Sequence, residues 1–86
     1  MNTENRRIRK HILSERIGSI CKHYRISMKI KVFDVSRETG YSTQLIYQFE
    51  KGNTTNMIIL FDCYFNMLDN QNRVNLMNDI VKATRW

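Results

Sequence analysis

The most informative part of the sequence is the segment from Val35 to Asn53. Gly40 and Ser42 form a Gly-x-Ser turn between two short stretches that have helical spacing of apolar residues. Glycine permits a sharp turn with positive φ, and serine is a favoured N-cap for the helix that follows. Two short helices joined in this way are the sequence form of a helix-turn-helix, whose second helix can present side chains to base edges in the DNA major groove.

The rest of the chain predicts the elements that must hold this turn in place. Proline is absent and glycine occurs three times, so helices joined by tight turns are favoured over a many-stranded sheet. We predict an all-α fold, a compact bundle of four to five helices containing the helix-turn-helix. The first periodic stretch, 8–24, fits one helix or two, because Ser14 could cap a second helix and Gly18 weakens the middle. Further helices are predicted at 31–39, 42–51, 57–68 and 72–82.

The sequence also predicts how the last two helices pack. Residues 57–68 are apolar nearly all round. A strand pair or a helix could fit this stretch, but its length favours a helix, which would be central or covered on two sides. In the final helix, steps of three and four residues predict an inward face with Leu76 to one side. That face consists of Val74, Met77, Ile80 and Val81.

Length and charge set the domain organisation. The 86 residues have room for one core. We divide them into a basic N-terminal extension or helix (1–14), a helix-turn-helix domain (15–68) and a C-terminal helix that could serve dimerisation (69–86). The net charge is +6, and residues 1–25, with seven basic and two acidic side chains, account for +5 of it. No run approaches a membrane helix or a signal peptide in length, so we expect a cytoplasmic protein.

Catalysis and metal binding find no support in the sequence. His11, His23, Cys21 and Cys63 lack the spacing of a metal site, and the two cysteines are expected to be reduced core thiols. There is no glycine-rich phosphate loop and no arrangement of nucleophile, base and orienting group. We therefore expect no enzyme activity, no cofactor and no metal.

Residues 15–68 resemble the Cro/lambda-repressor-type helix-turn-helix family, also called the XRE family. The resemblance rests on the turn, on the end of the second helix and on the apolar helix that follows. The matching residues are Gly40, Ser42, Ile46, Phe49, Glu50, Lys51 and Gly52. It implies that Glu50 pairs within the domain, and that the chain binds specific double-stranded DNA as a small transcriptional regulator or phage-type repressor. A module of this size reads few base pairs, so a homodimer is expected.

The resemblance also implies roles for individual residues. The residues expected to read bases are Thr43, Gln44, Tyr47 and Gln48, and those expected to approach phosphates are Ser42, Lys51 and Asn53. A glutamine amide can both donate to and accept from an adenine edge. The basic N-terminal group could neutralise phosphates, or it could be a solvated helix face. This group consists of Arg6, Arg7, Arg9 and Lys10.

Two other functions stay open at this point. Val32 and Leu45 stand where the family often has polar contact residues, and residues 26–86 carry a net charge of only +1. These features would suit a helix-turn-helix-shaped protein-interaction module, such as an antirepressor or an inhibitor of a host protein that docks through its last two helices. RNA binding through the basic N-terminal segment is the third hypothesis.

Overall fold

The structure, a computed structural model, describes residues 3–85 and their side chains from residue 5 onward. Within these residues it contains five α-helices and no β-strand. The helices are α1 (Thr3–Ser27), α2 (Val32–Thr39), α3 (Thr43–Glu50), α4 (Met57–Met67) and α5 (Asn70–Ala83). The predicted all-α bundle containing a helix-turn-helix is confirmed, with α2 and α3 joined by a three-residue turn.

The first 25 residues of the described chain form one continuous helix, so neither a separate extension nor a second helix begins near residue 14. Gly18 remains inside α1 because α1 crosses the end of α3 there. A Cβ atom at Gly18 would lie 2.3 Å from the Phe49 carbonyl oxygen and 2.7 Å from that of Glu50. Gly52 has a φ of +77°, and a Cβ there would lie 2.5 Å from the Glu15 backbone nitrogen. Gly18 therefore lets α1 contact the α3 backbone directly, and Gly52 lets the loop after α3 approach the α1 backbone.

The turn between α2 and α3 has the predicted cap residues. Gly40 ends α2 with a φ of 76°, and its N–H donates to the Ser36 carbonyl. Ser42 is the N-cap of α3, and its side-chain oxygen accepts from the Leu45 N–H at 3.2 Å. The Ser36 hydroxyl donates to the Tyr41 carbonyl at 2.6 Å, across the turn. These bonds set the direction in which α3 leaves the turn.

The core lies where α1 is covered by the other helices. Its buried members are Cys21, Tyr24, Val32, Val35, Ile46, Phe49, Leu60, Tyr64, Leu68 and Leu76. Helix α4 buries Leu60 and Tyr64, whereas Ile58 is 85% exposed and Ile59 is also exposed. The expectation of a central or doubly covered helix is confirmed for most of α4, which packs on α1, α2 and α3. It does not hold at Ile58 and Ile59, which are left in solvent beside the buried Leu60.

The inward face predicted for α5 is wrong in part. Leu76 is fully buried, while Val74 and Val81 are 56% and 53% exposed and Met77 is exposed as well. Two polar contacts to α1 accompany the burial of Leu76. The Tyr24 hydroxyl donates to the Asp79 carboxylate at 2.6 Å, and an Arg16 Nη donates to the Ala83 carbonyl at 2.8 Å. The stripe that faces α1 is consequently Leu76, Asp79, Ile80 and Ala83.

Candidate nucleic-acid interface

Helix α3 presents its four predicted base-reading residues on one solvent-facing side. Thr43, Gln44, Tyr47 and Gln48 are all exposed, and they follow the i, i+1, i+4, i+5 pattern of a single helical face. On the opposite side, Ile46 and Phe49 are fully buried. The sequence-predicted set is thus assembled into one polar surface about 12 Å long, since α3 has eight residues.

A buried ionic network fastens the C-terminal end of α3 to its neighbours. The Glu50 side chain is 3% exposed and the Arg25 side chain 11%. Arg25 donates from Nε to Glu50 Oε2 at 2.6 Å and from Nη2 to Oε1 at 3.2 Å. The Tyr64 hydroxyl donates to the same Oε2 at 2.6 Å, and Arg25 Nη1 donates to the Ile30 carbonyl at 2.9 Å. One carboxylate therefore joins α3 to α1 and α4.

The network perturbs the titration of the groups around it. The hydrogen bond to Glu50 raises the pKa of Arg25 above its ordinary value, and burial followed by the bond to Glu50 raises the pKa of Tyr64. Burial, with a smaller contribution from the Glu50 charge, raises the pKa of the Cys21 thiol to about 12. All three groups therefore hold their protons at neutral pH, and the Arg25–Glu50 pair is an ion pair that orients α3.

The expectation that Glu50 pairs within the domain is confirmed, but its partner was missed by the sequence reasoning. In the sequence Arg25 is one of seven basic residues among residues 1–25, and nothing sets it apart from the others. A signal existed in the composition: an acid that follows the buried Phe49 needs a cation, because an unpaired buried charge is very costly. Nothing in the spacing of the sequence identified which of the many cations that would be.

The predicted phosphate-approaching residues flank the exposed face of α3. Ser42 is exposed at its N-terminus, while Lys51 and Asn53 are exposed just after its C-terminus. The Asn53 N–H donates to the Gln48 carbonyl at 2.8 Å, which ties the following loop to α3. The amides at the start of a helix and a lysine near its end are both suited to phosphate oxygens.

Part of the basic N-terminal group lies beside the same loop. Arg7, Lys10, His11 and Ser14 line one side of an open groove of about 370 Å³, and residues 52–55 line the other. The structure therefore brings Arg7 and Lys10 together with Asn53. Arg6 and Arg9 are not among the lining residues; Arg6 is exposed and Arg9 is half-buried.

The sulfur and imidazole groups are dispersed. Cys21 is buried and Cys63 half-buried, and both are free thiols, so Cys63 is less a core residue than expected. In the part of the chain that the structure describes, no three His, Cys, Asp or Glu residues are grouped so as to hold a metal ion. None of the described helices has the length and apolarity needed to cross a membrane.

No protein-family model matches this chain, and no curated protein or solved structure matches it either. The resemblance to the Cro/lambda-repressor type therefore rests on the residues of the turn, of the end of α3 with Lys51 and Gly52, and of the apolar helix that follows.

Proposed function

We propose that this chain binds specific double-stranded DNA and acts in the cytoplasm as a small transcriptional regulator, of the kind that phage repressors represent. The observation that supports this most is the exposed polar face of α3, which is backed by a rigid buried anchor at Glu50. Hydrogen-bonding side chains on a helix held at a defined angle are what direct readout in the major groove requires.

In this proposal specificity and affinity come from different residues. Gln44 and Gln48 read base edges, with Thr43 and Tyr47 beside them on the same face. Phosphates are approached by Ser42, Lys51 and Asn53 around α3, and by the basic side chains of α1. Those basic residues are Arg6, Arg7, Arg9 and Lys10. Charge neutralisation of this kind makes binding strongly dependent on salt. The logarithm of the binding constant should fall against the logarithm of the salt concentration with a slope of roughly −0.9 per phosphate contact.

A homodimer on a two-fold operator completes the proposal. The outer side of α5 offers Val74 and Val81, which are seven residues apart and exposed. An apolar pair at this spacing can pack against the same helix of a second copy. Light scattering coupled to size-exclusion chromatography would detect the dimer, and Val81→Lys should convert it to a monomer. A monomeric wild-type chain in the presence of its operator would contradict this part.

The decisive test is the selection of bound sequences from a random duplex pool, followed by titration of variants on the selected site. Gln44→Ala with Gln48→Ala should weaken specific binding by about 1–3 kcal/mol per bidentate contact and leave low-salt, non-specific binding intact. Gln71→Ala removes an exposed glutamine from α5 and is the matched control. If the α3 double variant binds the selected site as the wild type does, α3 is not the reading helix.

A second function is favoured by the exposed apolar residues of α4 and α5. Ile58, Ile59 and Met77 are exposed on helices that would cover the core in a DNA-binding module. They would suit an interaction module that acts on another protein, as an antirepressor or an inhibitor. Absence of binding to random duplex DNA at low salt would favour this function over the first. The same titration with RNA in place of DNA tests the third hypothesis, which is RNA binding through the basic N-terminal segment.

A further inference from the structure

A single trough runs along one face of α1, and its chemical character changes from end to end. The floor is formed by Arg7, Lys10, Ser14 and Ile17, which follow one another at steps of three and four residues. From the first to the last is ten residues, or about 15 Å along the helix. The floor is cationic at the N-terminal end, polar in the middle and apolar at the far end.

The apolar end lies between α4 and α5, which both pack on α1. It has a volume of about 170 Å³ and is lined only by apolar side chains. These are Ile17, Met57, Ile58, Phe61, Met77 and Ile80. The middle section shares Met57 and Ile58 with this end, and it shares Lys10 and Ser14 with the basic groove described above. The three sections therefore form one continuous depression.

We propose that this trough binds an acidic amphipathic helix of a partner protein, with apolar anchors between α4 and α5 and carboxylates beside Arg7 and Lys10. Charge complementarity selects this occupant. Within the described residues neither Arg7 nor Lys10 forms an ion pair, and both are exposed. Three helical turns, or about 11 residues, match the length of the trough, and anchors at i, i+3 and i+7 match its shape.

A second copy of this chain is a poor complement for the trough. No described helix carries more than two acidic residues in its sequence, and the chain as a whole is strongly cationic. The acid on α5, Asp79, is already engaged by the Tyr24 hydroxyl. An acidic segment from another protein would instead be drawn to the basic end and held at the apolar end.

The direct test uses a synthetic peptide of about 14 residues made of leucine and glutamate, with leucine at the i, i+3, i+4 and i+7 positions of a helix. The control peptide has lysine in place of every glutamate. Binding to the full chain is followed by fluorescence anisotropy and by amide shifts in ¹H–¹⁵N spectra. The glutamate peptide should bind with shifts grouped at α1, α4 and α5 around the trough, and the lysine peptide should bind at least about tenfold more weakly because its charges repel Arg7 and Lys10.

Two variants, each with a control variant, test the apolar end and the basic end of the trough separately. Ile58→Lys should weaken binding of the glutamate peptide about tenfold, because a largely exposed residue loses its apolar contact without disturbing the fold. Phe33→Lys removes another largely exposed apolar side chain, from α2, and should leave binding unchanged. Lys10→Glu should weaken binding about fivefold and lower its salt dependence, while Lys22→Glu, farther along α1, should change it far less.

The inference is overturned if both peptides bind equally, if Ile58→Lys binds as the wild type does, or if the shifts map away from the trough. It is also overturned if the wild type forms a dimer that Ile58→Lys dissolves, since a second copy would then occupy the groove. DNA binding is tested separately with the variants of Gln44 and Gln48. The proposal for the trough and the proposal for DNA binding can therefore be overturned independently of each other. The peptide and duplex DNA should also compete for Arg7 and Lys10, and this one expectation rests on the proposed function.

Discussion

Replacing Glu50 by alanine tests whether the buried network holds α3 in position. The carboxylate accepts two bonds from Arg25 and one from Tyr64, and its side chain is almost fully buried. Without it, a guanidinium that is itself mostly buried loses its counter-ion. Removing one partner of a buried pair typically costs about 3–5 kcal/mol. A chain of this size has a total stability of only about 4–13 kcal/mol, so Glu50→Ala should lower the melting temperature by at least about 12 °C.

A second variant separates the loss of the ion pair from the burden of an unpaired charge. Arg25→Met combined with Glu50→Leu removes both charges and fills their volume with apolar groups. Such replacements of buried pairs are often neutral or stabilising, so the double variant should recover most of the stability lost in Glu50→Ala. The assay is urea unfolding followed by far-UV circular dichroism, with the free energy of unfolding extrapolated to water.

The matched control is Glu15→Ala, because Glu15 is an acid on α1 that is 54% exposed and pairs with His11. An exposed pair is worth about 1 kcal/mol or less, so this variant should unfold close to the wild type. The reasoning is refuted if Glu50→Ala costs no more than Glu15→Ala. It is refuted equally if the double variant is as unstable as Glu50→Ala, because the cost would then lie in packing or in the Tyr64 hydroxyl that has lost its acceptor, rather than in the unpaired Arg25.

Three further predictions concern packing and titration. Gly18→Ala should destabilise the chain by about 1–3 kcal/mol in urea unfolding despite the better helix propensity of alanine, since the new Cβ overlaps the Phe49 carbonyl; a stabilised variant would contradict the contact between α1 and α3. A thiol reagent should modify Cys63 before Cys21, because Cys21 is fully buried and has its pKa raised to about 12; mass spectrometry of the digested product shows the order, and equal rates would mean that the core opens. Burial, and then a hydrogen bond to a carboxylate on α5, raises the pKa of Tyr24 from 10 to about 12. Because the pKa is higher in the folded state, the protonated Tyr24 hydroxyl contributes its full share to the free energy of unfolding below pH 10 and loses that share as the pH rises toward 12. The urea midpoint should therefore decline less over that interval in Tyr24→Phe than in the wild type.

Much of the helix-turn-helix could be predicted because its signals are local. Gly40 and Ser42 act through backbone conformation and a cap three residues away, which depend little on the rest of the chain. The exposed face of α3 follows in the same way from the positions of Ile46 and Phe49, since one helical side can be inferred once the other is known to be apolar. The proposed roles of Gln44 and its neighbours toward DNA stay predictions.

The face that α5 turns inward could not be predicted, because the helix carries apolar residues on more than one side. Periodicity favoured Val74 and Val81, yet the structure buries Leu76. The buried side of α5 also carries Asp79, which accepts a hydrogen bond from Tyr24, a residue 55 positions away along the chain. The spacing of apolar residues within one helix contains no information about a hydrogen-bond partner on another helix.

The helical class, the turn at Gly40 and the polar side of α3 follow from the amino-acid order alone, because they depend on spacing within a few residues. The folded chain was needed to see that α1 is one helix pressed against the α3 backbone at Gly18, and that Arg25 is the cation for Glu50. It was needed as well to see which basic residues of α1 lie beside the loop at Asn53. Each of these contacts joins distant parts of the chain. They depend on how the helices pack and on which buried charges must be paired, and local periodicity encodes neither.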